Sequence, residues 1–334
     1  AGVPGRTPRN ELRGSVVRVV FFGSPDLAVP ALQSLAASSA FDVVLVVTQA
    51  AKGMSPVEVE AERLGLPVYK PETLRDPVSR EPLIAAAPDL FVVAAFGLIF
   101  RQRTLDIPRH GSINIHPSLL PKYRGASPIV AAIASGDRET GVALMVMDTG
   151  IDTGAVISQE RAEIAHDDTS ESLGDRLGRL GAEMAVRDIP RWVKGELVAS
   201  PQQGSQASLT RTLTKADGWI DWTRPAVEIE RQVRAMWPWP RAWTTVHGAP
   251  IQIHRGTVVE VEPGVHEPGA VISERRRLIV ACGEHALEID TIEPAGRRAM
   301  PANAYLNGIR MPITRFGQTG APEPRPPLIV PVES

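Results

Sequence analysis

The sequence predicts an α/β protein in which a Rossmann-like, doubly wound, mostly parallel sheet is followed by a small OB-like β-barrel. Three observations carry that expectation. Apolar runs of strand length alternate with helical stretches through the first half; a Gly-, Ser-, Gln- and Pro-rich stretch without periodicity follows residue 194; and beyond it come short β-like runs with close turn signals.

Taken in order, residues 1–15 carry Arg6, Arg9 and Arg13 among Pro and Gly, with no apolar segment of signal-peptide type, and read as a flexible arm. Residues 17–22 are nearly all apolar, as in a strand buried on both faces, and lead through the turn Gly23-Ser24-Pro25-Asp26 into a helical stretch over 28–37. Strands are expected at 43–48, 68–69, 90–95, 112–115 and 142–147, with helices at 57–64 and 169–194. The organisation expected is a first domain over 16–194, a linker over 195–214, a second domain over 215–316 and an extended Pro-rich tail over 317–334. In the second domain, strands are expected at 242–247, 251–254, 257–261, 270–273, 277–281 and 286–292. Ligands of doubly wound sheets collect beyond the carboxyl ends of the strands, which directs attention to the loops after Ala95 and Ile115.

Composition narrows the function classes. Among 334 residues, 36 Lys and Arg face 38 Asp and Glu, so no global field selects nucleic acid or membrane. No run approaches the ~18 consecutive apolar residues of a membrane span. The one cysteine, Cys282, lies in an apolar strand-like run and reads as a small buried hydrophobe; it excludes an internal disulfide framework and multi-cysteine metal sites. A reducing, cytoplasmic setting fits that usage. The seven histidines lack ligand-like spacing, so no metal is expected, and neither a G-x-G-x-x-G nor a P-loop pattern is present.

The segment GSINIHPSLLPKYRGASP, residues 111–128, carries the chemistry. Asn114 and His116 are two apart on an extended strand and share a face. Residues 145–154, MVMDTGIDTG, place Asp148 and Asp152 on two Gly-containing turns, where a carboxylate could reach the imidazole. Each residue alone has a plain structural reading, as a satisfied core histidine, a turn cap or a turn carboxylate. The combination of Asn-x-His, Ser-Leu-Leu-Pro, Arg-Gly and D-x-G-x-D-T-G is what stands out.

That combination resembles the active-site signature of the 10-formyltetrahydrofolate-dependent formyltransferases. The likeness runs from about Val17 to Phe316 and includes Phe22-Gly23-Ser24-Pro25-Asp26 and the stretch Val92 to Ile99. It extends through Ile220-Asp221-Trp222, Trp237-Pro238-Trp239-Pro240 and the stretch Glu293 to Met300, which separate the branch acting on methionyl-initiator-tRNA from its relatives. The resemblance implies the formyltransferase fold and a soluble bacterial, cytoplasmic, monomeric enzyme of translation initiation. It would move the formyl group of 10-formyltetrahydrofolate onto the methionyl α-amino group. Matching residue by residue, it implies that Asn114, His116 and Asp152 are catalytic. Asp152 aligns in preference to Asp148 because it immediately precedes Thr153-Gly154. Phe96, Gly97, Leu98 and Ile99, with Ser118, Leu119, Leu120 and Pro121, would line the folate site; Phe96 stands where many members carry Tyr.

Candidate tRNA or substrate contacts are Lys52, Arg124, Arg275, Arg276, Arg277, Arg297 and Arg298. Residues 215–315 hold 13 basic against 12 acidic residues, so local clusters, not net charge, would have to do this. Typical members carry a longer Gly-rich basic loop at 48–56, here reduced to Lys52. Two alternatives share the signature: a formyltransferase acting on a sugar-nucleotide amine, and a non-catalytic folate- or RNA-binding module. The second domain argues against the first, and the intact Asn-His-Asp set against the second.

Overall fold

The apolar run at the start folds as β1 (Val17–Phe22), buried everywhere except Arg18, which projects outward to pair with Asp42. This computed structural model describes residues 16–262, 264–274, 277–309 and 311–332. After β1 come α1 (Val29–Ala37), β2 (Phe41–Val47), α2 (Pro56–Arg63), β3 (Val68–Tyr69), α3 (Glu81–Ala85), β4 (Leu90–Ala94) and α4 (Gln102–Leu105). The site-bearing part follows as β5 (Ser112–His116), β6 (Arg124–Gly125), α5 (Pro128–Ser135), β7 (Glu139–Val146), β8 (Val156–Glu163) and the long α6 (Ser170–Val193).

Seven of these strands form one sheet in the order β3-β2-β1-β4-β5-β7-β8. The first five are parallel, and β7 and β8 add antiparallel to the β5 edge. Alternate residues of β1 feed two cores, as a doubly covered sheet requires. Val19 and Phe21 pack with Leu32, Leu35, Leu173 and Leu177 of α1 and α6, while Val20 and Phe22 pack with Leu74, Leu83, Phe91 and Phe100. Helix α6 starts at a reciprocal cap between Thr169 and Ser172 and crosses β5 closely: a Cβ at Gly181 would lie 2.6 Å from Ile115 Cγ2. The glycine lets the helix rest directly on the strand that carries the site.

The chain continues through β9 (Ser208–Thr210), α7 (Ala226–Ala235), β10 (Ala242–Val246), β11 (Ala249–Val259), β12 (Val271–Glu274), β13 (Arg277–Ala281), β14 (Ala286–Pro294), β15 (Met300–Pro301), α8 (Ala302–Gly308) and β16 (Ile329–Pro331). A second, antiparallel sheet runs β10-β11-β14-β13-β12, with β15 on β14, and curls into a half-barrel around Ile220, Trp222, Val280, Ile289 and Phe316. Its curl follows the irregular register of β11 on β14 near His254 and Arg255, and that strand is continuous where the sequence suggests two. Cys282 is buried beside this core, and burial pushes its thiol up to about 12, the environment of a packing residue.

Two features go beyond what the sequence predicts. Strand β8 is exposed at alternate positions, so it offers no apolar run to detect. Strands β6, β9 and β16 form a third small sheet that joins the signature, the stretch 195–214 and the C-terminal tail. Strands of two or three residues have no periodicity to read, and here each exists because its partners supply the hydrogen bonds. Among the described residues, no helix is long and apolar enough to cross a membrane.

Candidate active site

Strand β5 lies between β4 and β7, and its carboxyl end delivers Asn114 and His116 to one face. The connection from β7 to β8 folds back over that end. Within it, Asp148 is exposed and serves its own turn, its Oδ1 accepting from the Gly150 amide at 2.9 Å and from Thr153 Oγ1 at 2.6 Å. Asp152 instead reaches across to β5 and β6. Its Oδ1 accepts from Asn114 Nδ2 at 3.1 Å, its Oδ2 accepts from the Gly125 amide at 2.8 Å, and His116 Nδ1 lies 3.6 Å from Oδ2. The structure therefore brings Asn114, His116 and Asp152 together and leaves Asp148 outside the group.

The backbone makes this reach possible. Asp152 adopts φ +50°, a left-handed conformation that L-residues seldom take outside turns. Two residues on, a Cβ at Gly154 would stand 1.7 Å from the Val146 carbonyl oxygen, so the loop closes against β7 only with glycine there. His116 is 3% exposed, and its Nε2 lies 2.9 Å from the Tyr123 carbonyl oxygen. A carbonyl can only accept, so this nitrogen carries the hydrogen. Both imidazole nitrogens thus face protein acceptors.

The other expected site residues fall into three groups. Phe96, Gly97, Leu98 and Ile99 form the loop after β4, at the point where the strand order reverses between β1 and β4, the place where doubly wound sheets leave a crevice. Phe96 packs edge-on against Phe22 and Phe100 at ring separations of 5.3 and 6.1 Å, and Ile99 is exposed. The side chain of Gln49, from the loop after β2, closes on Gly97, where a Cβ would come within 2.6 Å of its Nε2.

Ser118 is fully buried, its hydroxyl donating to the Lys122 carbonyl at 2.6 Å. Leu119, Leu120 and Pro121 border a cleft of about 360 Å³ with Gln159 and Gln206, and Leu120 and Pro121 also border an adjoining cleft of about 420 Å³ that reaches Gln202. Neither cleft is lined by Asn114, His116, Asp152 or the 96–99 loop.

The basic residues are dispersed. Lys52 is exposed on the loop between β2 and α2, whose ends are tied by Thr48 Oγ1 to Ser24 at 3.1 Å and to Ser55 at 2.7 Å. Arg124 is buried, its Nε and Nη2 donating to Gln202 Oε1 at 3.0 and 2.8 Å. Arg277 pairs with Glu288 on the neighbouring strand, while Arg297 and Arg298 stand exposed on the turn between β14 and β15. Arg275 and Arg276 lie outside the described residues, as does the 1–15 arm. Among the described residues, no cluster of three potential metal ligands occurs. Sequence reasoning missed the Tyr123 carbonyl, the Gly125 amide and Gln202, whose roles are set by position in space and leave no mark on residue type.

Residues 17–189 match the formyl transferase family and residues 212–310 match the formyl transferase C-terminal domain. The methionyl-tRNA formyltransferase of Roseiflexus castenholzii is 42% identical over 303 residues, covering 88% of this chain and 97% of that protein. That of Chloroflexus aggregans is 42% identical over 311 residues, covering 90% and 100%. The chain belongs to the methionyl-tRNA formyltransferase family.

Solved structures share the architecture more widely. An N-formyltransferase of Helicobacter canadensis, solved with folinic acid and dTDP-3-aminofucose, superposes with a TM-score of 0.62 at 20% identity over 82% of this chain and 98% of that one. Glycinamide ribonucleotide transformylase 1 of Symbiobacterium toebii gives 0.50 at 21% identity, covering 59% of this chain and all of that one. At these identities the likeness is one of fold. Methionyl-tRNA formyltransferases are matched along nearly their whole length, second sheet included, whereas the shorter transformylase covers little more than half of this chain.

Proposed function

We propose that this chain transfers the formyl group of 10-formyltetrahydrofolate to the α-amino group of methionine esterified to initiator tRNA. The observation that carries the reading is the 42% identity to methionyl-tRNA formyltransferases, sustained through both sheets over nearly their full length. The site agrees with it chemically. A free α-amino group titrates near pH ~8, and its ester is more acidic, so much of the nucleophile is already unprotonated at neutral pH. The site's tasks are then to stabilise the oxyanion formed when nitrogen attacks the formyl carbon, and to handle the proton the nitrogen gives up.

Asn114 suits the first task. One hydrogen of its amide is engaged by Asp152, and among the described residues the other has no partner, which leaves it for the developing oxyanion. His116 stands beside this group, its Nε2 donating to the Tyr123 carbonyl and its Nδ1 lying 3.6 Å from Asp152 Oδ2, so that it helps to hold the Asp152 carboxylate in place. Asp152 takes a proton from the nitrogen that has attacked the formyl carbon, directly or through water, and returns it to the folate nitrogen as the C–N bond to the folate breaks. The oxyanion thereby collapses to the new formyl carbonyl, tetrahydrofolate leaves protonated and the carboxylate is regenerated. The 96–99 loop, apolar with backbone groups along its edge, is of the kind that holds a flat heterocycle. The chain would do this as a monomer in the bacterial cytoplasm, with Arg297 and Arg298 meeting tRNA phosphates.

The test is formyl transfer to methionine-charged initiator tRNA, run beside methionine-charged elongator tRNA and a UDP-amino sugar. Formylation of the initiator species alone is expected. Transfer only to the sugar would replace the acceptor in this reading, and absence of transfer to all three would remove the activity.

A further inference from the structure

The stretch 195–214 joins the two sheets, yet one of its side chains is built into the site. Gln202 Nε2 donates to the carbonyl oxygens of Asp152 and Gly154, each at 2.8 Å. Its Oε1 accepts Nε and Nη2 of Arg124 at 3.0 and 2.8 Å. Both amide hydrogens and both acceptor positions are therefore engaged. The orientation is unambiguous, because rotating the amide by half a turn would set its oxygen against two carbonyl oxygens and its NH2 against a guanidinium.

What this amide holds is the strained part of the site. The two carbonyls it grips belong to Asp152, at φ +50°, and to Gly154, which is wedged against Val146. Arg124 is followed by Gly125, whose amide donates to Asp152 Oδ2. Asp152 is thus held twice from β6: its carboxylate through the Gly125 amide, its backbone through Gln202 and Arg124. Strand β6 is itself paired to β9 a few residues beyond Gln202, which closes the ring.

We propose that Gln202 is a positioning residue for formyl transfer, bracing the Asp152 turn against Arg124 so that the carboxylate stays in reach of Asn114 and His116. The inference rests on the reading of Asp152 given above. Gln202 does not touch the reacting atoms, so its effect passes wholly through Asp152.

Two substitutions separate this from a merely structural role. Gln202→Leu removes all four hydrogen bonds at similar bulk; Gln202→Glu keeps an acceptor for Arg124 but turns an oxygen toward the two carbonyls. Both are expected to lower kcat by about 10- to 100-fold, the scale of a misplaced catalytic group, with KM for both substrates within about threefold. Introduced into an Asp152→Ala background, Gln202→Leu should change kcat less than about twofold, since the group it positions is gone. Hydrogen exchange at the Gly125 amide and through 147–155 should quicken in Gln202→Leu, whatever the acceptor.

Wild-type kcat in Gln202→Leu while Asp152→Ala is impaired would overturn the proposal and leave the reading of the reaction standing. So would recovery of activity in Gln202→Glu, a full additional loss in the double variant, or unaltered exchange. If the wild-type chain formylates no charged tRNA, the reaction reading falls, and the exchange measurement still decides whether Gln202 braces the turn.

Discussion

The regions around the two large sheets use polar groups differently, one in a converging network and the other in separate pairs. At the carboxyl end of the first, the central carboxylate of the site is tied to groups distant in sequence: Asp152 is joined to Asn114, Gly125 and Gln202 across 38, 27 and 50 residues. In the second region the charged groups form separate pairs, Arg277 with Glu288 on adjacent strands, Arg224 with Glu228 at the start of α7 and Arg241 with Glu293, while Arg297 and Arg298 stand in solvent. A reaction centre needs preorganised donors at fixed separations, which only mutually braced groups provide. A surface for a polyanion needs only reachable charge, and loose side chains suffice. The first region should therefore be sensitive in turnover and the second in affinity and salt response.

The largest expected effect breaks the first region. Asn114→Ala should lower kcat by about 100- to 1000-fold, the usual loss on removing an oxyanion donor, and His116→Ala by about 100-fold through misplacement of the Asp152 carboxylate, with the circular dichroism spectrum unchanged in both. Asp148→Asn, on the same turn as Asp152 but bonded only to its own loop, should leave turnover within a few-fold. Equal losses from Asp148 and Asp152 substitutions would erase the distinction drawn between them.

An intermediate effect tests the second region. Replacing Arg297 and Arg298 by Ala should raise KM for tRNA several-fold at moderate salt, with kcat at saturation preserved. The slope of log KM against log salt should shrink by about one for each phosphate that is no longer neutralised. A fall in kcat without a change in that slope would mean that the turn does not meet phosphate. Arg277→Ala should do less, because its guanidinium already pairs with Glu288.

The smallest effect separates the two regions by acid stability. Asp188 of α6 is almost completely buried, accepting from Arg187 at 2.9 Å and from Ser158 at 2.8 Å. Hydrogen bonding from Arg187, above all, holds its carboxyl below the ordinary value of 3.8. A depressed folded-state pKa means stabilisation that is complete above the unfolded-state value, about 4, and lost as pH falls through the folded-state value. Asp188→Asn should therefore flatten the fall in urea midpoint below pH ~4. Glu288, held low by Arg277 in the same way but more exposed, should contribute less because solvent screens the pair. Identical acid limbs in wild type and Asp188→Asn would count against this.

Legibility follows the sequence distance between partners. The runs that form β1, β4 and β5 can be read directly, since a strand buried on both faces must be apolar throughout, and the Asn114–His116 pair follows from strand periodicity. The preference for Asp152 over Asp148 comes from a family likeness; in the fold Asp152 bonds to Asn114, whereas Asp148 bonds within its own turn. Strand β8 escapes because an edge strand with one wet face resembles a loop in composition. Gln202 escapes because it is one polar residue after Pro201 in a stretch without pattern, and nothing local distinguishes an amide that grips two carbonyls from one in water.

Residue order alone is enough to specify the sheet class, the two-part architecture and the strand that presents Asn114 and His116, because hydrophobic burial and strand periodicity are local rules. Where Asp152 comes to rest, that Tyr123 and Gly125 meet the site through backbone groups, that Gln202 braces it, and that β16 pairs with β9, are set by folding. Each depends on hydrogen-bond partners that chain closure alone brings together, and backbone N–H and C=O groups are the same at every residue except proline, which lacks the N–H.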